Sequence, residues 1–128
     1  MTVSRHLETL QKEKITHTQI VRYAGASGDF NPIHTVVPFA QEAGLGDVIA
    51  HGMMIMGFVG QAIEGWFPSG RLDNFTVRFK AMTRPGEKIM INGCVTDDAG
   101  DRLHCEASAA NEAGEVKVEA KFTIRIQR

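Results

Sequence analysis

Gly52-Met-Met-Ile-Met-Gly-Phe-Val-Gly-Gln-Ala-Ile-Glu-Gly-Trp66 is the stretch of sequence that decides the fold. Its apolar residues lie on nearly all sides of a helix, which predicts a helix that other elements surround. The segment is too short to cross a bilayer, which needs about 18 or more apolar residues. Gly57 and Gly60 each disfavour a helix by about 1 kcal/mol relative to Ala, so we expect a strand or a ligand to approach closely there.

The pattern changes to a period of two after this helix. Apolar residues recur at every second position over 75–81 and again over 116–126, and polar residues such as Lys117 lie between them. This alternation predicts an antiparallel sheet with one face in water. The segments 97–100 and 111–114 predict hairpin turns. The chain is therefore predicted to be α+β, with a long central helix wrapped by an antiparallel β-sheet.

Ahead of the central helix the sequence predicts two shorter helices. The first has Thr18 as its N-cap and stops at the glycine-rich break Gly25 to Gly28, and the second runs from about Pro38 to Ala43. The first fifteen residues fit either a loose helix or an added edge strand.

Length and composition predict one domain over residues 1–128, with a mass of 14.0 kDa. The balance of 14 Lys+Arg against 15 Asp+Glu leaves a net charge of −1 and no long basic run. Nucleic acid and membranes are therefore not expected as partners. The segment Met1 to Lys14 has no apolar signal core, so we expect a cytoplasmic protein. Cys94 and Cys105 have no metal-binding spacing and fall on opposite faces of a predicted hairpin, which predicts free thiols.

The loop Gly28-Asp29-Phe-Asn31-Pro32-Ile-His34 sets a carboxylate and an imidazole five residues apart around a rigid Asn-Pro turn. Asp and His together supply proton acceptors and donors near neutral pH, so the pair can hold one water molecule. Taken alone, the same residues fit a second interpretation equally well. In that interpretation Asp29 caps a helix that begins near Thr35, and His34 is an ordinary turn histidine.

With its flanking residues this loop resembles the signature of the MaoC-like hydratase and dehydratase family. The signature runs from an aromatic residue, Tyr23, through Gly-Asp-x-Asn-Pro-aliphatic-His to a small residue, Ala40. The resemblance extends over about residues 16–85 and includes the segments 50–54 and 75–79. It implies a single hotdog domain that acts as an (R)-specific enoyl-CoA hydratase on acyl-CoA, without a metal or other cofactor.

The resemblance also implies roles for individual residues. Asp29 and His34 would hold and polarise the water, and the Gly52 N–H would receive the negative charge that develops on the thioester oxygen. Asn31 would brace the loop or position the water, and Ser27 would support Asp29 or simply form the turn. Further candidates are His51 for orienting the turn before the helix, Met53 and Met56 for lining an acyl tunnel, and Arg78 for meeting the phosphates of CoA. Packing alone for Gly52, core positions for the methionines and a solvated face for Arg78 are the alternatives. A metal site made of Asp29, His34 and His51 matches no common zinc motif.

One sheet of this kind leaves a long edge and half of its helix uncovered, which predicts a homodimer. Three other functions stay open. The first is a dehydratase that acts on 3-hydroxyacyl groups attached to acyl carrier protein, and the second is a non-catalytic, acyl-binding partner subunit of a hotdog heterodimer. The intact Asp-x-Asn-Pro-x-His loop favours an enzyme over that second alternative. The third is a thioesterase, which is supported only by the fold.

Overall fold

The computed structural model describes the backbone of residues 2–126 and the side chains of residues 5–126. The described elements are β1 (Thr2–His6), β2 (Leu10–Gln11), α1 (His17–Ser27), a 3₁₀ turn (Pro32–His34), α2 (Val37–Glu42), α3 (Gly52–Trp66), β3 (Arg71–Phe79), β4 (Ile89–Asp98), β5 (Arg102–Asn111) and β6 (Val116–Arg125). After the two N-terminal strands, the predicted order of helices followed by strands is confirmed.

The strands form one antiparallel sheet in the order β1-β4-β5-β6-β3, and β2 also pairs with β4. Both predicted hairpin turns are present, and each contains a glycine with positive φ, Gly100 at 93° and Gly114 at 85°. The N-terminal segment adds strands to the far edge of the sheet, which settles the alternative left open for the first fifteen residues. The strand β3 forms the other edge.

Helix α3 lies against the inner face of the sheet. Its buried residues are Met54, Ile55, Phe58, Val59, Ala62 and Ile63, and they pack into one core with apolar residues of β4, β5 and β6. The sheet lies close to the helix at Gly93, where a Cβ atom would lie 2.5 Å from the ring of Trp66. The α+β prediction is therefore confirmed.

The face of α3 that carries Gly57 and Gly60 is open. An added Cβ at either position would meet nothing within 4 Å beyond its own helix. The expectation that a strand approaches these two glycines is therefore wrong for the described chain, because the sheet covers the opposite face of the helix.

The boundaries of α1 differ from the prediction. Thr16, not Thr18, is the N-cap, and its side chain accepts a hydrogen bond of 3.0 Å from the Gln19 N–H. Gly25 does not break the helix, which ends at Gly28 with φ of 75°. The helix therefore delivers the chain directly to Asp29.

Strand β6 departs from strict alternation at Lys117, which is buried and not in solvent as predicted. Ala109 pairs with Val118 and the next residue, Ala110, pairs with Val116, so Lys117 is the extra residue of a β-bulge. A bulge redirects the side chain of the residue that it inserts.

Cys94 and Cys105 are free, as predicted. Cys105 lies opposite Val95 and Cys94 opposite Glu106, so the two thiols point to different faces of the sheet. Burial raises the pKa of Cys105 to about 11. No helix within residues 2–126 is long and apolar enough to cross a membrane.

Candidate active site

Short-range hydrogen bonds stabilise the loop that follows α1. The Ser27 hydroxyl accepts from the Asp29 N–H, and the Asp29 carboxylate accepts from the Asn31 N–H, each at 3.2 Å. The Asn31 side chain then accepts from the Ile33 N–H, also at 3.2 Å. Ser27 and Asn31 are thus part of the internal bonding that shapes the loop. This geometry replaces the alternative in which Asp29 caps a helix near Thr35, because Asn31 is the residue that caps the 3₁₀ turn.

His34 is held from behind by the chain that precedes α3. Its Nδ1 lies 2.7 Å from the Ile49 carbonyl oxygen, and the Ile49 N–H donates in turn to the Ile33 carbonyl at 3.2 Å. Because a carbonyl oxygen only accepts, Nδ1 carries the hydrogen. The neutral ring therefore presents an unprotonated Nε2 to the site.

Asp29 faces this nitrogen across a gap. The distance from His34 Nε2 to Asp29 Oδ2 is 3.9 Å, which is too long for a direct hydrogen bond. A water about 2.8 Å from each atom would bond both at an angle of about 90°, not far from the spread of its two O–H bonds. His34 is only 8% exposed, whereas the Asp29 side chain is 55% exposed. The pair thus combines a sheltered base with a carboxylate that solvent reaches.

His51 connects this loop to the start of α3. Its ring stacks on His34 with centroids 3.7 Å apart and 19° between the planes, and the Tyr23 ring lies 4.8 Å away. Its Nε2 donates to the Asp29 carbonyl at 3.1 Å, which leaves Nδ1 as a buried acceptor with no partner among the described residues. The structure therefore brings together the predicted residues Asp29, His34 and His51.

Gly52 begins α3 and borders a cavity of about 380 Å³. His51 provides no side-chain cap, and its carbonyl accepts from the Met54 N–H at 3.0 Å. The Gly52 N–H, at the first position of the helix, has no acceptor within the helix. The Phe79 ring covers this end of the helix, 3.1 Å from the position that a Gly52 Cβ would take. The other residues around the cavity are Ala50, Ile55, Lys80, Ala81, Met82, Thr83 and Val118.

Three predicted residues lie outside this arrangement. Met53 is 57% exposed and Met56 is half-buried, and neither lines the cavity. Arg78 lies on the outer face of the sheet beside a separate groove of about 690 Å³, because successive residues of a strand point to opposite faces. Lys80 lines the cavity instead.

Sequence reasoning missed Ile49, Phe79 as a neighbour of Gly52, and Thr83. Ile49 acts through its backbone carbonyl, so no residue type could indicate it. The sequence indicated only that Phe79 lies on the apolar face of an alternating strand. Its contact with Gly52 depends on how β3 and α3 pack.

Among the described residues, one group could hold a metal ion. It consists of Asp29, His34 and His51, whose ligand atoms lie within 4.8 Å of one another. The two imidazoles are nearly parallel, so their in-plane lone pairs run side by side and do not converge on one point. Each ring also uses one nitrogen on a backbone carbonyl. The arrangement suits proton transfer better than tetrahedral coordination, and the absence of a metal or other cofactor stays a prediction.

A helix wrapped by one antiparallel sheet, with an Asp/His loop beside its N-terminus, defines a hotdog-fold protein. The chain belongs to the MaoC-like domain family, whose model, described as "MaoC like domain", matches residues 1–118. The unliganded R-hydratase PhaJ1 from Pseudomonas aeruginosa superposes with a TM-score of 0.90 at 22% identity, over 100% of this chain and 83% of that one. This likeness confirms the hotdog fold.

Two kinds of relative are similar in sequence. The fatty acid synthase beta subunit TOXC of Cochliobolus carbonum is 33% identical over an alignment of 117 positions that covers 79% of this chain. The chain spans only 5% of the length of that protein. The (R)-specific enoyl-CoA hydratase of Rhodospirillum rubrum is 29% identical over an alignment of 117 positions that covers 88% of this chain and 80% of that enzyme. That the domain extends over all of 1–128 stays a prediction.

Proposed function

We propose that this domain is a hydro-lyase acting on enoyl and 3-hydroxyacyl thioesters, and specifically an (R)-specific enoyl-CoA hydratase. It would add water reversibly to trans-2-enoyl-CoA and form (R)-3-hydroxyacyl-CoA. The observation that carries the proposal is the gap of 3.9 Å between His34 Nε2 and Asp29 Oδ2, which one water fits. Similarity to an (R)-specific enoyl-CoA hydratase over most of both chains supports the same reaction.

The roles within the pair follow from the Ile49 contact. Because Nδ1 of His34 donates to Ile49, Nε2 is free to take one proton as the water oxygen bonds to the β-carbon. Asp29 accepts a hydrogen bond from the other O–H of the water and so orients it. The proton on Nε2 then passes to the α-carbon, so hydroxide and a proton are both delivered and the pair is restored.

Charge that develops on the thioester oxygen would be received at the N-terminus of α3. The Gly52 N–H is the proposed donor, and the helix dipole adds to it. Removing such a donor typically costs about 3–4 kcal/mol in the barrier. The cavity beside Gly52 has mostly apolar walls and room for the thioester end of the substrate.

We propose that two copies form a homodimer with two sites. The edge of β3 pairs with no strand on its outer side among the described residues, and the open face of α3 carries the exposed Met53. Both surfaces lie next to the candidate site. Light scattering should give a particle of twice 14.0 kDa, and a monomer with full activity would contradict the dimer.

A second candidate keeps the chemistry and changes the carrier. Similarity to fatty acid synthase beta subunits favours a substrate attached to acyl carrier protein. Comparing kcat/KM for the same enoyl chain on CoA and on acyl carrier protein separates the two candidates. A cytoplasmic location stays a prediction.

The test of the proposed reaction is a spectrophotometric assay with crotonyl-CoA and longer enoyl-CoAs, since loss of the conjugated double bond is directly visible. Chiral analysis should find only the (R) product, because one water is held on one face of the alkene. The (S) product would contradict the stereochemical assignment, and free CoA would indicate a thioesterase. If acyl-CoA binds but enoyl groups are converted neither on CoA nor on acyl carrier protein, the result would instead support a non-catalytic partner subunit.

A further inference from the structure

Lys117 is a charged side chain that the β6 bulge turns into the protein. It is 1% exposed, and its ammonium contacts the Glu87 carboxylate at 2.8 Å and the Glu115 carboxylate. The ammonium also donates to the Met82 carbonyl at 2.7 Å. A lysine that followed the alternation of the strand would lie in solvent and make none of these contacts.

The contacts of Lys117 are concentrated on the segment that follows β3. Its backbone carbonyl accepts from the Lys80 N–H at 2.8 Å, and its ammonium holds Met82. The next residue, Thr83, accepts from the Ala50 N–H at 2.7 Å. Lys117 thus bonds to the wall of the cavity formed by residues 79–83, and that wall is bonded to the residue two positions before Gly52.

Glu87 keeps the ammonium in place. Its two carboxylate oxygens accept from the Asn111 side chain at 2.7 Å and from the Arg84 N–H at 2.6 Å. The anion is thus held by β5 and by the 80–88 segment at the same time. Lys117 therefore has a defined position, although the segment around Met82 has no helix or strand of its own.

Stability alone does not account for this arrangement. Well-packed apolar residues in place of a buried ion pair often leave stability unchanged or improve it, so such a pair contributes more to geometry than to stability in some proteins. Bulges are also frequent beside active sites, where they redirect a side chain. We propose that Lys117 is a positioning residue of the active site, which holds the wall formed by residues 79–83 against the N-terminus of α3 and so sets the orientation of the thioester at Gly52. This inference rests on the proposed hydratase function.

The test compares Lys117→Met with Lys121→Met, which makes the same change on the same strand at an exposed position. Two quantities are measured on the folded proteins, the hydrogen-exchange rate of the Ala50 amide by NMR and the steady-state kinetics with crotonyl-CoA. In Lys117→Met we expect faster Ala50 exchange and a fall in kcat of about tenfold to a hundredfold, because small misplacements near the reacting atoms have effects of that size. KM should change much less, because Lys117 is proposed to orient the reacting thioester and not to bind the CoA moiety. Lys121→Met should change neither quantity.

Unchanged Ala50 exchange in folded Lys117→Met overturns the inference, whatever the kinetics, because Lys117 would then have no effect on the hydrogen bond between Ala50 and Thr83. Faster exchange with unchanged kcat also overturns it. If Lys117→Met does not fold, Glu87→Gln decides by the same two measurements, since it removes the anion and keeps the shape of the side chain. If the unmodified protein turns over no enoyl thioester, the proposed reaction fails, while Ala50 exchange still decides whether Lys117 positions the wall formed by residues 79–83.

Discussion

Nδ1 of His34 lies 2.7 Å from the carbonyl oxygen of Ile49, fifteen residues away in the sequence. This bond determines which nitrogen of the ring carries hydrogen and turns the other toward Asp29. A backbone carbonyl cannot change its protonation state near neutral pH, so the orientation of His34 does not depend on a second titrating group. The same chain segment leads directly into α3, and this connects the histidine to the helix N-terminus.

The first prediction concerns the dyad. Asp29→Asn and His34→Ala should each reduce kcat by about 10²–10⁴-fold, because each removes one of the two groups proposed to hold the water. The double variant should be little worse than either single one, since groups that act as a unit are not additive. His104→Ala, an exposed histidine on β5, is the control. More than about a tenth of the activity in either single variant would rule out the mechanism.

The second prediction concerns acyl length. If Met56 borders the methyl end of the acyl chain on the open side of α3, Met56→Ala should favour longer enoyl-CoAs by about 1–3 kcal/mol per methylene accommodated. Met54→Ala is the matched control, because Met54 is 5% exposed and packs in the core. It should lose about 2–5 kcal/mol of stability without a change in preference. Identical kcat/KM profiles across chain lengths in the Met56 variant would show that no acyl chain passes this residue.

The third prediction concerns packing at Gly93. A methyl group there would lie 2.5 Å and 2.7 Å from two ring carbons of Trp66. Gly93→Ala should therefore lower the free energy of unfolding by about 1–3 kcal/mol. Gly65→Ala makes the same change in α3 where nothing lies within 4 Å, and it should be neutral or stabilise by up to about 1 kcal/mol. Urea unfolding measures both, and equal effects would mean that Trp66 does not pack on Gly93.

The fourth prediction concerns stability in acid. Burial by itself would raise the pKa of Glu87, but hydrogen bonds from Lys117, the Arg84 N–H and Asn111 outweigh it and hold the pKa below the ordinary value of 4.5. The folded state therefore binds this proton less tightly than the unfolded state. The stabilisation is present above about pH 4.5 and is lost as the pH falls through the lowered pKa.

Urea unfolding from neutral pH down to about pH 3 checks the sign. The unmodified protein should lose stability more steeply than Glu87→Gln over the acid part of this range. Parallel curves for the two proteins would contradict the role given to the Lys117–Glu87 pair.

Local sequence determined the elements and the contents of the candidate catalytic loop. The all-round apolar pattern of 52–66 predicted α3, and the period of two predicted the hairpins, because burial of a helix or strand face repeats at fixed spacing. The Asp-x-Asn-Pro-x-His loop was predictable for a different reason, since its shape depends on hydrogen bonds between residues two positions apart. The expected approach of a strand to Gly57 was wrong because periodicity does not say which side of a buried helix a sheet leaves open.

Tertiary structure alone decided which distant groups meet at the site. Lys117 is buried because a bulge shifts the pairing of β6. The strict alternation of apolar and polar residues in the sequence does not indicate such a shift. Arg78 faces outward while Phe79 covers Gly52, which follows from the orientation of β3 against α3. The proton position on His34 depends on a carbonyl, and every residue has one. These contacts are set by register and backbone geometry between segments far apart in the chain, whereas residue types report only on their own segment.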